Sequence, residues 1–159
     1  MTTIVETGAL VSGANSYVSD AELTDYAGDR GLTLTGDAGV LLLQAMLYIE
    51  ALSFKGQKKT KDQPLVWPRY GVYIDGFNVA SDEIPAILKT LQCEVALSID
   101  AGSDPLANVD RAVKREKVDV IEVEYADNAA PYAYSRKIKA LEKKLTIGSG
   151  GMVVDLFRA

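Results

Sequence analysis

Histidine does not occur in this sequence, and cysteine occurs once, at Cys93. The first absence removes the commonest general base and the commonest metal ligand together. The second excludes an internal disulfide, cannot build a zinc site, and suits a reducing compartment. With no imidazole to activate it, Cys93 reads as a structural thiol beside a helical apolar stripe. No apolar run approaches the ~18 residues of a membrane span. The opening residues, MTTIVETGALVSGANS, lack the basic start and unbroken apolar core of a signal peptide. The expectation is a protein that is soluble and intracellular when made. Phosphate loops, dinucleotide fingerprints and nucleophile elbows are missing too. The glycines at 148–151 are followed by Met152, with no lysine for a phosphate. The carboxylate pairs Asp82-Glu83 and Glu122 with Glu124 suit a helix start and the solvent face of a strand. No catalytic residue, metal site or cofactor is expected, and the protein is not expected to be an enzyme.

What is present is an ordinary globular composition, 48% hydrophobic and 25% charged over 159 residues. A chain of that size is most economically one domain, and it buries roughly 70% of its unfolded surface without needing a staple. The net charge of −5 weighs against a dedicated nucleic-acid binder.

One stretch departs from that average. Residues 55–76, KGQKKTKDQPLVWPRYGVYIDG, hold the only Trp, Pro64 and Pro68, Tyr70 and Tyr73, and a basic run of Lys55, Lys58, Lys59, Lys61 and Arg69. The prolines remove backbone donors and push their predecessors toward extended geometry, so the stretch suits neither helix nor strand. A connection this long inside a small domain is usually functional, and its aromatics argue against disorder. Two readings follow from its residues. Lys58, Lys59, Lys61, Trp67 and Tyr70 combine cations with stacking faces, as single-stranded nucleic-acid sites do. Alternatively Trp67, framed by prolines, anchors the loop in the core while the lysines stay solvated. The anchor is the preferred reading.

Around this loop the chain reads as mainly α within an α+β class, a bundle of about four helices with a small β-hairpin and a flexible C-terminal tail. Residues 1–18 read as an extended arm ending at Tyr17-Val18. Ser19-Asp20-Ala21-Glu22 matches a capping box opening a helix to about Asp29, with Leu23, Tyr26 and Ala27 inward and Gly31 as its stop. Thr35-Gly36-Asp37 starts a second helix, apolar almost all round from Val40 to Phe54, hence central and buried. Its inward face continues through Ala45, Met46, Ile49 and Leu52. Ser81 or Asp82 caps a third, with Pro85 in its first turn and Ile84, Leu88, Leu91, Val95 and Ile99 inward, ending at Ala101-Gly102. The period then changes to two, giving a hairpin at about 107–126 with Lys114 to Lys117 as a charged turn. Residues 134–145 form a short basic amphipathic helix with Ile138, Leu141 and Leu145 inward. The domain spans 19–146, and 147–159 join a glycine hinge to an apolar tail that wants a partner surface.

The ordered series ANSYVSDAELTDYAGDRG, AMLYIEALSFKGQK, QPLVWPRYGV, IPAILKTLQCEVAL and VKREKVDVIEVEY resembles the head-to-tail connector (adaptor) proteins of tailed phages, often labelled DnaT-like single-stranded-DNA-binding proteins. It covers about residues 15–145. Its most specific parts are Tyr17-Val18-Ser19, Phe54-Lys55-Gly56, Gln63-Pro64-Leu65 with Trp67-Pro68-Arg69, and Ile84-Pro85. The resemblance implies a homo-oligomeric ring, commonly twelve-membered, in the neck of a virion assembled in the host cytoplasm. The ring would join the portal protein to a neck, stopper or tail-completion protein and pass double-stranded DNA through its channel. Met152, Val153, Val154, Leu156, Phe157 and Arg158 would then dock on the portal. Gln63, Trp67, Pro68, Arg69 and Tyr70 would brace the loop or a subunit interface. A Trp expected between Gly31 and Gly39 is absent here, which puts the first interhelix contact in question.

Overall fold

The structure, a computed structural model, describes residues 2–103, 116–118, 121–123 and 136–147. It is α+β. In chain order the elements are α1 (Asp20–Gly28), α2 (Ala38–Glu50), β1 (Gln57–Lys58), β2 (Arg69–Tyr70), β3 (Tyr73–Ile74), β4 (Phe77–Asn78), α3 (Ala86–Asp100), β5 (Glu116–Val118), β6 (Ile121–Val123) and α4 (Arg136–Leu145). The strands form three two-stranded antiparallel pairs, β1–β2, β3–β4 and β5–β6. The central pair of helices is α2 on α3; α4 packs on α3, and α1 on both α2 and α3.

The local signals for α1 act as expected. The Ser19 hydroxyl accepts from the Glu22 amide, and the Glu22 carboxylate accepts from the Ser19 amide. Gly31, at φ +67°, lets the chain turn so that the Leu32 amide reaches the Ala27 carbonyl. At the next start, the Asp37 side chain accepts from the Val40 amide.

Several expectations change. The second helix stops at Glu50 rather than running to Phe54. Beyond it the backbone straightens and pairs with the end of α4: Phe54 bridges Thr146, the Ile147 amide donates to Ser53, and the Lys55 amide donates to Leu145. Phe54 therefore enters the core from extended backbone. The helix is also not buried all round, since Val40 and Leu47, two turns apart, are exposed. At α3, neither Ser81 nor Asp82 is the cap. Pro85 is, with no side-chain cap bond, and its carbonyl accepts from Leu88. Its missing N–H makes proline a favoured residue at a helix start, where that donor has no partner anyway.

The N-terminal residues are not an extended arm. Val5 pairs with Ser16, the Glu6 amide donates to the Ser16 carbonyl, and Ala14, Tyr17 and Val18 enter the core. The fully buried Glu6 carboxylate accepts from the amides of Gly8, Leu10 and Val11. Three amide donors replace the water that burial removes. Gly8 is required there, because a Cβ would lie 1.9 Å from the Asp82 carbonyl oxygen. Gln92 ties this segment to the helices, accepting from the Tyr17 amide and donating to Ser16 Oγ and the Leu42 carbonyl.

Where the resemblance leads one to expect a Trp between Gly31 and Gly39, polar bonds hold the segment instead. The Asp100 carboxylate accepts from the Thr35 amide and hydroxyl and the Gly36 amide, and these bonds hold its pKa below the ordinary value. The hairpin register also differs from expectation. Glu116 and Lys117 are strand residues, paired with Val123 and Glu122, so the chain reverses after Val118 rather than at Lys114 to Lys117. The β-branched residues Val118, Ile121 and Val123 suit these paired strands. The rest of the expected hairpin, the glycine hinge and the tail Met152, Val153, Val154, Leu156, Phe157 and Arg158 lie outside the described residues.

Candidate functional site

The loop from Lys55 to Gly76 is built on the C-terminal end of α2. Glu50, in the last turn, accepts from the Val66 amide through both carboxylate oxygens and from the Tyr17 hydroxyl. That hydroxyl in turn accepts from the Trp67 amide at 3.1 Å. Burial is the main cause that raises the pKa of both Tyr17 and Glu50 above their ordinary values. The chain Trp67–Tyr17–Glu50 thus fixes the start of the WPR segment to α2 and to the N-terminal residues.

Trp67 is fully buried, with Phe54 edge-on to it at a centroid distance of 5.9 Å. Its indole N–H has no hydrogen-bond partner among the described residues. A ring held there despite an unpaired donor is an anchor stabilised by burial and aromatic packing. It presents no face on which a base could stack.

Arg69 and Gln63 close the loop. The Arg69 guanidinium donates to the carbonyls of Lys55, Gly56, Val66 and Phe54, four acceptors on two passes of the chain. A planar, forked donor set is what such convergence needs. Gln63 is buried, accepting from the Thr60 amide and donating to the carbonyls of Leu65 and Pro68. Pro68 is buried as well. At Gly56, φ is +68° and a Cβ would sit 2.3 Å from the Tyr70 carbonyl oxygen. Close approach and backbone sign both require glycine at this position. Contrary to the expectation of an irregular stretch, Gln57 pairs with Tyr70 and Lys58 with Arg69.

Lys58 and Lys61 remain exposed and Lys59 is half-buried, while the exposed Tyr70 donates its hydroxyl to Gln57 Oε1 at 2.5 Å. Of the five residues named for nucleic-acid binding, the structure therefore keeps the lysines and Tyr70 near the surface and takes Trp67 inside.

Sequence reasoning missed the β3–β4 hairpin that follows. Asp75 and Gly76 form its turn with φ of 51° and 88°, positive at both central residues. Tyr-Ile-Asp-Gly-Phe-Asn carried that signal, since Asp-Gly between strand formers is a strong hairpin cue. Tyr73 and Phe77 project from it, 61% and 79% exposed. Lys144, at the end of α4, pairs with Asp75 at 2.6 Å and holds the turn to the helix.

Cys93 is buried, and burial pushes its thiol up to about 12, in keeping with a structural role. Among the described residues, no three carboxylate or thiol groups converge as metal ligands. Among the same residues, no helix is long and apolar enough to cross a membrane.

A family model described as "Putative DnaT-like ssDNA binding protein" matches residues 1–159. No curated protein and no solved structure matches the chain.

Proposed function

The chain belongs to this DnaT-like family, and on that premise we propose that it is a non-catalytic structural protein of a phage neck, a head-to-tail connector adaptor. It assembles as a ring between the portal protein and a neck, stopper or tail-completion protein, with a channel that passes double-stranded DNA. The observation that carries this reading is the state of the Trp67 loop. Its aromatic centre, its arginine and its glutamine are all engaged in holding the subunit together. That use suits a brace in an assembly subunit. The net charge of −5 also suits a channel that must let phosphate slide, since phosphate-neutralising lysines would grip the backbone. A closed ring needs a different surface on each side of every subunit. The exposed apolar side chains Leu47, Tyr73, Phe77 and Ile147 are candidates for such faces. The tail from Met152 to Arg158 is assigned to the portal.

The test is mass by light scattering and negative-stain imaging, with the protein alone and mixed with its portal. Rings on the portal are expected, and a strict monomer that never joins portal assemblies would refute the reading. Deleting residues 151–159 should leave folding intact and abolish portal attachment; normal attachment would remove the tail from the argument.

A second reading comes from the family's description, single-stranded-DNA binding. It uses Lys58, Lys59, Lys61, Trp67 and Tyr70, and the burial of Trp67 takes away one of its two rings.

A further inference from the structure

We propose that the uncharged outer face of α2 is a docking surface for this chain's own C-terminal segment, residues 152–157. The buried residues Ala45, Met46 and Ile49 fix the rotation of the helix. On the opposite side stand Val40, Gln44 and Leu47, with Ala51 just beyond the helix end. All four are exposed, Leu47 by 64%. Successive spacings of four, three and four residues keep them on one face, about 16 Å long at 1.5 Å per residue. None of the four is charged, and Glu50 is the one charged residue in α2. A single exposed leucine would need no explanation. A whole outer face without a charge does, because that is where a surface helix ordinarily carries its charged residues.

The path of the chain points to what covers it. α4 ends at Leu145, and the Ile147 amide then donates to the Ser53 carbonyl at 2.9 Å, three residues past the end of α2. Ile147, itself exposed, therefore lies at the C-terminal end of α2. From that point the sequence continues, outside the described residues, as Gly-Ser-Gly-Gly and then Met-Val-Val-Asp-Leu-Phe-Arg-Ala. The step from Ile147 to Met152 spans up to about 17 Å. Leu47 is only about 9 Å from Ser53 along the helix axis, so the segment that follows reaches Leu47 and the rest of the face. Asp155 is its one charge; Met152, Val153, Val154, Leu156 and Phe157 are apolar.

Other occupants fit less well. A second copy would bring net charge −5 against net charge −5. It would also compete with the millimolar effective concentration that so short a tether supplies. A charged partner would find no counter-charge on the face. Under the neck reading the portal takes the same segment, so its release would bare Leu47, one of the candidate ring faces, only at the portal. That consequence rests on the neck reading; the docking in the free chain does not.

The experiment is disulfide trapping in the full chain, without portal. Leu47→Cys and Gln44→Cys, two positions on the face, are each paired with Phe157→Cys. Lys143→Cys with Phe157→Cys is the control, at an exposed position on α4 that the tether also reaches. Cys93 stays in place, since its buried thiol does not react. Each variant is checked for folding by thermal melt, and the bond is mapped by mass spectrometry under non-reducing conditions. Within the monomer, both α2 pairs should close about tenfold faster than the control. Adding Leu156→Asp should bring them down to the control's rate. Rates equal to the control, or unmoved by Leu156→Asp, overturn the docking and leave the neck reading standing. Bonded dimers in place of closed monomers overturn the choice of occupant in favour of a second copy.

Discussion

The Trp67 loop and the β3–β4 hairpin are neighbours in sequence and share a vocabulary of aromatics and turn formers. The fold uses that vocabulary in opposite ways. In the loop, the aromatic is fully buried, the arginine spans four carbonyls and the glutamine bridges three backbone groups. In the hairpin, the rings stand in solvent and a surface ion pair secures the turn. The difference lies in the backbone. A proline-rich segment leaves carbonyls without ladder partners, and these recruit the side-chain donors of Arg69 and Gln63. A two-residue hairpin pairs its own backbone and leaves its side chains free. Residue types alone therefore do not mark a binding site; what matters is whether unpaired backbone has already claimed them.

The widest gap between the two regions is expected on removing a ring from each. Trp67→Ala should destabilise the protein by about 3–5 kcal/mol, as large-to-small core changes do, whereas Phe77→Ala should stay within about 0.5 kcal/mol. Urea unfolding of both variants measures this. Equal effects would erase the distinction between anchor and exposed tip. Next in size, Arg69→Met should cost about 1–3 kcal/mol, because partly buried carbonyls of the loop lose their donor. Arg69→Lys should recover little of this, since an ammonium lacks the fork. Full recovery would mean charge rather than geometry holds the loop.

A smaller effect concerns pH. Burial raises the folded-state pKa of Glu50, so its contribution is present below the ordinary carboxylate value and is lost as pH rises through the raised one. Melting temperatures of Glu50→Gln minus wild type should therefore increase from about pH 4 to about pH 7. A flat difference would show that Glu50 is not desolvated as the structure has it. The smallest effect belongs to the lysines. Changing Lys58, Lys59 and Lys61 together to Ala should shift stability by no more than about 0.5 kcal/mol. A larger loss would draw them into the brace.

Much of the helical frame was legible because its signals are local. The capping box at Ser19 and Glu22, the cap at Asp37, and the apolar spacing through Leu88, Leu91 and Val95 each act within a few residues. The Asp75-Gly76 turn carries an equally local signal. Other outcomes had no local signal. The end of α2 at Glu50 depends on Ser53 and Phe54 meeting Thr146 and Ile147, more than ninety residues away in the chain. Glu6 looks like a surface acid in a polar segment, and only the return of that segment against Ser16 and Asp82 buries it.

The candidate site divides along the same line. By itself, the sequence determined that an unusual loop sits between two apolar helices, that Trp67 within it is framed by prolines, and that no imidazole or thiol pair is available for chemistry. Tertiary structure alone decided which of the aromatic and cationic side chains remain available. Burial and hydrogen-bond satisfaction are set by groups distant in sequence: Tyr17 and Phe54 for Trp67, the carbonyls of Lys55 and Gly56 for Arg69, and Lys144 for the hairpin turn. Composition records none of those meetings, because each is a property of the packed chain rather than of any segment of it.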